Sequence, residues 1–339
     1  MKIVIASGTY PPSIGGSSYY AYHLAKVFKG KGHDVVVVTY GIERLLPVGI
    51  RHIVIFFRIL FSLIGSDVLL ALDTFSVGVP GAYAAKLLNK PSVLRVGGDF
   101  LWEHYVNRTQ ELIPYPYFYK NNPLFNLKEK IIFFLIKKSV KKYTHIIFNT
   151  RWMLDYFLPA YKMVEYRNIT IVENVLDIKR GDVSLKGDNS NKMIVTIGRD
   201  IPLKNLKYTK DVLYEIKNIY ENIDYFVGQT TFEEKERLLS QAYFSVLLSV
   251  SDMNPGFILD SIRYGKPFIV TKYNGLSDDI KRLGIEVDPF NQKEIINAIN
   301  RLLDDMVYKS FKDKIASFSK SYSWDEVGDD FLKILSNQL

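Results

Sequence analysis

The 339-residue sequence predicts an α/β protein with two Rossmann-like domains, each a parallel sheet covered by helices. Its length suits two domains of roughly 150 residues, and short β-rich apolar runs alternate with amphipathic segments along it. One polar stretch, Leu176–Lys192, interrupts that alternation and is the predicted linker. We therefore expect an N-terminal domain over 1–175, a C-terminal domain over 176–322, and a helix over 323–339 that packs back on the first domain.

Each predicted domain has its own set of strands and helices. The strands of the first are Lys2–Ala6, Asp34–Thr39, Asp67–Ala71, Pro91–Val96 and His145–Phe148, with a helix at about Ser17–Lys29. The strands of the second are Met193–Ile197, Asp224–Val227, Phe244–Leu248 and Pro267–Thr271, and its helices are Leu206–Tyr220, Phe232–Gln241, one through Ile262, and Gln292–Leu303. Ser323 and Glu326 form a capping box that starts the last helix, whereas Gly41–Ser66 has no clear assignment.

Composition excludes some chemistry and leaves other classes open. The chain has no cysteine, which removes disulfides and thiolate nucleophiles, and its five histidines lack ligand spacing, so no metal site is expected. The formal charge of +8 suits a phosphate-bearing ligand, an anionic membrane or a nucleic acid. The positions of the basic residues along the chain, rather than their number, must distinguish between these partners.

The apolar runs are too short for a signal peptide or a membrane span. The first, Ile3–Ala6, has four residues, and the longest, Ile53–Ile64, contains Arg58. A span needs about 20 apolar residues. We expect a cytoplasmic protein that is soluble or peripheral on the inner face of the membrane.

The loop Tyr10–Gly16 lies between the first strand and the first helix, where backbone amides can bind an anion. Gly15 and Gly16 would let the backbone approach a phosphate, but glycines in this place also form turns with no ligand. The loop lacks the G-x-G-x-x-G spacing. A dinucleotide site is therefore disfavoured.

The segment Gly198–Asn205 occupies the equivalent place in the second domain. Arg199 and Lys204 can both point into a cleft from a strand-to-helix loop, and each contact with a diphosphate would contribute about 1.5 to 3 kcal/mol. A solvated loop would contain the same residues.

The segment Asp252–Asp260 places two carboxylates across a Pro-Gly turn and a new helix. Amides along Asn254, Pro255, Gly256 and Phe257 would face phosphate or sugar oxygens at the helix start, and Asp260 is spaced for a ribose diol. A capping Asp followed by a surface Asp would have the same spacing.

In this order the motifs resemble those of the family 4 retaining glycosyltransferases of the GT-B fold, two Rossmann-like domains facing across a cleft. The family hallmark is two carboxylates separated by seven residues and followed by G-K-P, here Asp252, Asp260 and Gly265–Ile269. The resemblance spans nearly the whole chain. It also includes Val172–Val175, Gly228, Gln229 and Tyr322–Trp324.

The resemblance implies metal-independent transfer of a sugar from a nucleoside-diphosphate donor, with no other cofactor. Arg199 and Lys204 would bind the diphosphate, Asp252 the transferred sugar and Asp260 the ribose. Backbone amides of Asn254–Phe257 would face the donor, Gly15 and Gly16 would face its phosphates from the other domain, and Gly228 and Gln229 would lie near the nucleobase.

The chain departs from the family pattern in two respects. Asp replaces the usual Glu at both carboxylate positions, and Val96 stands where many relatives have a histidine. Asp99 follows in a Gly-Gly turn at a strand end, and we predict that it orients the acceptor or the transferred sugar. The alternative is a turn residue that caps a helix.

The acceptor would be a glycan, a lipid-linked or another hydroxyl compound. Lys120–Lys142 carries seven lysines against one glutamate around an apolar stripe, which suits contact with an anionic membrane or a core helix with a solvated basic face. The rival functions are a nucleotide-sugar epimerase of the same fold and a non-catalytic protein that binds a membrane surface or nucleic acid. We predict no nucleic-acid partner, because no recognisable binding module accompanies the lysines.

Overall fold

The computed structural model describes residues 1–13, 16–164, 166, 168–176 and 191–339, and it divides the chain into two units. The first unit contains Met1–Tyr105, Asn122–Val175 and Tyr322–Leu339, and the second contains Val106–Asn121 and Leu176–Ser321. Most of the predicted linker, 177–190, lies outside the described residues. The segment Val106–Asn121 was expected in the N-terminal domain, and the structure groups it with the second unit instead.

Each unit is built on a parallel sheet. The strands of the first are β1 Lys2–Ser7, β2 Asp34–Thr39, β3 Val68–Ala71, β4 Ser92–Val96, β5 His145–Phe148 and β6 Ile169–Ile171. The strands of the second are β7 Lys192–Ile197, β8 Ile223–Gly228, β9 Phe244–Leu247, β10 Phe268–Thr271 and β11 Ile285–Val287. In the described chain the orders are β2-β1-β3-β4-β5-β6 and β11-β10-β9-β7-β8.

The helices largely occupy the predicted crossovers. They are α1 Gly16–Gly30, α2 Val48–Leu63, α3 Gly78–Leu87, α4 Phe100–Thr109, α5 Tyr115–Phe118, α6 Leu127–Val140, α7 Arg151–Ala160, α8 Leu206–Ile219, α9 Phe232–Gln241, α10 Gly256–Arg263, α11 Asp278–Lys281, α12 Gln292–Leu303, α13 Asp305–Ser317 and α14 Trp324–Ser336. Within the described residues, none of them combines the length and the apolar character needed to cross a bilayer.

The core of the first unit joins its sheet to the last helix of the chain. Val327, Phe331 and Leu335 of α14 are buried in one cluster with Leu24 and Phe28 of α1. Gly328 permits this close packing, because a Cβ there would lie 2.3 Å from a methyl carbon of Val27 on α1. The predicted capping box is present, with Ser323 and Glu326 each satisfying a backbone amide of the other.

The core of the second unit lies on both faces of its sheet. Phe244 and Ile269 belong to a buried cluster under α8 and α12, while Phe268 belongs to another under α10. Burial on both faces explains why these strands are continuous apolar runs rather than alternating ones.

Candidate active site

Three of the predicted motifs follow the carboxyl ends of neighbouring strands in the second unit. Gly198–Lys204 follows β7, Gln229 follows β8, and Asp252 lies in the loop between β9 and α10. All strand pairs of this sheet are parallel, so these ends meet at one edge. Open α/β sheets bind ligands at this edge.

Lys204 and Asp252 form an ion pair at that edge. Lys204 ends the 3₁₀ turn Pro202–Lys204, and its Nζ donates to Asp252 Oδ2 at 2.5 Å. Only 10% of the Asp252 side chain is exposed. A Cβ built on Gly198 would lie 3.4 Å from Lys204 Cγ, which is an ordinary van der Waals contact, so Gly198 lies beside the stem of the lysine. The sequence predicted both residues, and the structure brings them together.

Backbone hydrogen bonds fix the Asp252 loop on two sides. The Val250 amide donates to the carbonyl of Leu203 at 2.9 Å, which joins the loop to the turn after β7. The Asp252 amide donates to Tyr273 O and its carbonyl accepts from Gly275 N, both at 3.0 Å. The ion pair is therefore held by the backbone around it.

The start of α10 presents backbone amides toward open space. Pro255 precedes the helix without a side-chain cap, and the structure gives the amides of Gly256 and Phe257 no acceptor among the described residues. Apart from the neighbouring residues and the backbone of α10 itself, no described atom lies within 4 Å of a Cβ built on Gly256. The buried Oδ1 of Asn254 also has no hydrogen-bond partner in the described chain. These groups suit the oxygen atoms and hydroxyls of a polar ligand.

Asp260 lies one turn into α10 and has a different lysine partner. Lys235 on α9 donates from its Nζ to Asp260 Oδ2 at 2.7 Å, and Arg263 Nη2 lies 3.9 Å from Asp260 Oδ1. Arg263 and Tyr264 both contact the carboxylate of Glu236. Sequence reasoning did not identify Lys235, because a lysine on an amphipathic helix ordinarily belongs to its solvated face.

Lys266 follows Gly265 in the G-K-P motif. Its Nζ donates to the carbonyl of Ser240 at 2.9 Å. Burial lowers the pKa of Lys266 to about 8, and the nearby charge of Lys312 acts in the same direction. The motif therefore places a partly desolvated amine between α9 and α10.

Two of the remaining predicted site residues of the second unit are more exposed to solvent than Asp252. Arg199 and Gln229 are exposed, and Gly228 is the last residue of β8. The structure gives Arg199 no ion pair with a described residue, whereas the Gly228 carbonyl accepts from Gly198 N at 3.1 Å. Gly228 therefore adjoins the loop that carries Arg199 and Lys204.

In the first unit the glycine loop is described only in part. Gly15 lies outside the described residues, and Gly16 is the exposed first residue of α1 with open space around it. Thr9 Oγ1 and Ser17 Oγ are 2.9 Å apart across this loop. That Gly15 and Gly16 face the phosphates of a donor stays a prediction.

Asp99 is fully buried at the end of the turn between β4 and α4. Its Oδ1 accepts from the amides of Leu101 at 2.9 Å and Trp102 at 3.3 Å. The hydroxyl of Tyr161 also donates to the carboxylate, at 3.1 Å from Oδ1. These bonds correspond to the helix-capping alternative, and the predicted contact with a sugar stays a prediction.

Comparison with solved structures identifies the fold. Sucrose-phosphate synthase from Thermosynechococcus elongatus is 12% identical, with 99% of each chain covered and a TM-score of 0.69. HepE from Anabaena in complex with UDP-glucose is 14% identical, covers 99% of this chain and 100% of its own, and has a TM-score of 0.67. The lipopolysaccharide outer core galactosyltransferase WaaB is 13% identical over 100% of each chain, with a TM-score of 0.63.

These likenesses show that the chain has the GT-B fold, with two parallel-sheet α/β domains. The predicted fold class is thereby confirmed. No protein-family model matches the sequence, and no curated protein matches it either.

Proposed function

We propose that the protein is a retaining glycosyltransferase that moves a sugar from a nucleoside-diphosphate donor to a hydroxyl acceptor. Solved structures with the same fold include a synthase, a galactosyltransferase and a protein in complex with UDP-glucose. The motifs follow one another along the chain in an order that resembles that of the family 4 enzymes. The residues of the second unit supply the chemistry.

The ion pair between Lys204 and Asp252 carries this proposal. A lysine held at the edge of the sheet can pair with a diphosphate, and its contact strengthens as negative charge moves onto the departing phosphate. Asp252, directly beside it, would accept hydrogen bonds from hydroxyls of the transferred sugar. Lys204 Nζ and Asp252 Oδ2 are 2.5 Å apart. The diphosphate at Lys204 and the sugar at Asp252, which are joined by the bond that breaks, would therefore be held in one site.

The start of α10 would stabilise the same negative charge. Its amides at Gly256 and Phe257 have no acceptor in the described chain, and a helix N-terminus favours anions. The exposed guanidinium of Arg199 would add a second cation. Asp260, held by Lys235, would accept bonds from the ribose hydroxyls.

In the proposed reaction the bond between the anomeric carbon and the diphosphate oxygen breaks, and a bond from the acceptor oxygen to that carbon forms on the same face. The acceptor proton passes to the leaving phosphate. Lys204, Arg199 and the helix start would stabilise the leaving group without a divalent ion. Retention is testable by the anomeric configuration of the product, and metal independence by activity that persists in EDTA.

A thermal-shift panel with UDP, GDP and ADP sugars tests donor binding. We expect one nucleotide class to raise the Tm of the wild type, and this rise to disappear in Arg199→Ala and Lys204→Ala. Lys309→Ala on α13 is the matched control, because it removes an exposed lysine of the same unit. If no donor stabilises the wild type, or both site variants respond like the control, the proposal is wrong. Sugar interconversion without an acceptor would identify an epimerase.

A further inference from the structure

Helix α2 exposes a continuous apolar stripe. Phe57 and Phe61 are 46% and 66% exposed and Ile53 is 58% exposed. Ile50 and Ile64 extend the stripe at either end. The spacing of three or four residues places all five side chains on one face. A continuous exposed apolar stripe usually marks an interaction site.

The opposite face of α2 packs in the core of the first unit. Ile55, Ile59 and Leu63 are fully buried, and the helix packs against β1, β2 and α3. The outward stripe therefore does not belong to the core of the first unit. It is apolar surface in addition to what folding requires.

Helices α3 and α6 also expose apolar side chains. α3 packs against both α2 and α6, so it lies between them. Leu87 of α3 is 67% exposed, and α6 exposes Leu127, Ile131 and Phe134 on one face. Exposed apolar side chains thus occur on three helices packed in the order α2, α3, α6, and we call the exposed sides of these helices together the three-helix face.

The charge on the three-helix face is of one sign. Exposed lysines accompany the apolar residues at positions 86, 128, 130, 138 and 141. The one acidic residue within α2, α3 and α6 is Glu129, which is buried and completes the capping box of α6. Lys138 Nζ lies 5.7 Å from the centre of the Phe134 ring, as when a lysine stem covers an aromatic and its amine reaches toward water.

This charge distribution favours a lipid surface over a second copy of the chain. Two copies joined through this face would bring lysines toward lysines, which costs free energy. An anionic bilayer complements both features, since apolar side chains enter the headgroup boundary while lysines meet lipid phosphates. We propose that the three-helix face docks the protein on anionic membranes, with the α2 stripe inserted in the interface. The sequence pointed only to the α6 region, whereas the structure adds α2 and α3.

This inference goes beyond the proposed function, because its residues lie in the first unit and the ion pairs described above lie in the second. Co-sedimentation of the full chain with vesicles tests it, using phosphatidylcholine alone and phosphatidylcholine with phosphatidylglycerol. We expect binding to the anionic vesicles that falls at least about tenfold in F57S/F61S. Binding should also fall in K128E/K130E and as NaCl rises, because salt screens lysine contacts with lipid.

The double variant Tyr214→Ser with Ile219→Ser on α8 is the matched control, because these side chains are 58% and 65% exposed in the second unit. It should bind vesicles like the wild type. An unchanged Tm and an unchanged donor response in F57S/F61S would separate lipid binding from folding and from donor binding. Absence of binding to anionic vesicles would overturn the proposal. So would self-association without lipid that F57S/F61S abolishes, since it would identify a second copy as the occupant.

Discussion

Lys204 Nζ and Asp252 Oδ2 lie 2.5 Å apart, so the cation expected at the donor diphosphate is already paired with the carboxylate expected at the sugar. A bound diphosphate would compete with Asp252 for the same amine. We therefore expect the affinity for nucleotide to depend on the charge at position 252.

Asp252→Asn should separate binding from transfer. Without the carboxylate charge, Lys204 is free to pair with phosphate, so the Kd for the nucleoside diphosphate should fall about five- to tenfold, equivalent to about 1 kcal/mol. Sugar transfer should fall at least about tenfold, because an amide replaces the carboxylate at the sugar. Calorimetric titration and initial rates measure the two effects. Unchanged nucleotide affinity would mean that Lys204 does not contact the diphosphate.

Lys235→Met should affect donor binding more than turnover. The substitution removes the amine 2.7 Å from Asp260, so the carboxylate that would meet the ribose loses its main partner. We expect KM for the donor to rise about tenfold while kcat changes less than twofold. Lys309→Met controls for the loss of a surface charge. A fall in kcat with constant KM would assign Lys235 to the chemical step instead.

Asp99→Asn tests whether the buried carboxylate is structural. The amide removes the negative charge and replaces Oδ2, which lies 3.3 Å from the Tyr161 hydroxyl, by an NH2 group. The bonds from two backbone amides and this hydroxyl should weaken, so the free energy of unfolding should fall by about 1 to 3 kcal/mol. Tyr161→Phe should cost about 1 kcal/mol, because it deletes one of these bonds. Urea unfolding measures both. A large rise in acceptor KM without loss of stability would instead support the predicted contact with a sugar.

Lys266→Met should change how stability depends on pH. Burial lowers the pKa of Lys266 in the folded chain to about 8 from its ordinary value of 10.5. Between these values the unfolded chain binds the proton more strongly, so this residue makes the wild type more stable as pH rises from 8 to 10.5. The variant should lack this gain, on the order of 3 kcal/mol at most. Tm values at pH 7.5 and 10 measure it, with Lys309→Met as the reference. Parallel curves for wild type and variant would contradict the lowered pKa.

Local patterns in the sequence predicted much of the fold. The apolar runs of β2 and β5 have the predicted bounds, because buried parallel strands are continuous and flanked by polar turns. β6 and β11 were missed, since three residues are too few to show a pattern. Helix α2 had no clear assignment because it is apolar on two faces, one buried and one exposed.

The site was predictable where motifs are local. The sequence order identified Lys204, Asp252 and Asp260, but it could not pair each carboxylate with its own lysine. The partnership of Lys235 with Asp260 depends on how α9 lies beside α10, which no spacing along the chain encodes. The grouping of Val106–Asn121 with the second unit is likewise a long-range property.

The second unit contains Val106–Asn121 from the N-terminal half of the chain, so the C-terminal half needs this segment to complete its unit. The buried amide of Tyr115 donates to Ser251 Oγ at 3.0 Å, one residue before Asp252. If the gene were cut after codon 175, Tyr115 and its hydrogen-bond partner Ser251 would lie on different polypeptides. A fragment beginning at Leu176 would then lack the Val106–Asn121 part of its own unit. Neither product is expected to fold fully by itself, whereas co-expression of both should restore solubility. Such a split protein would give a reporter that regains activity only when its fragments meet.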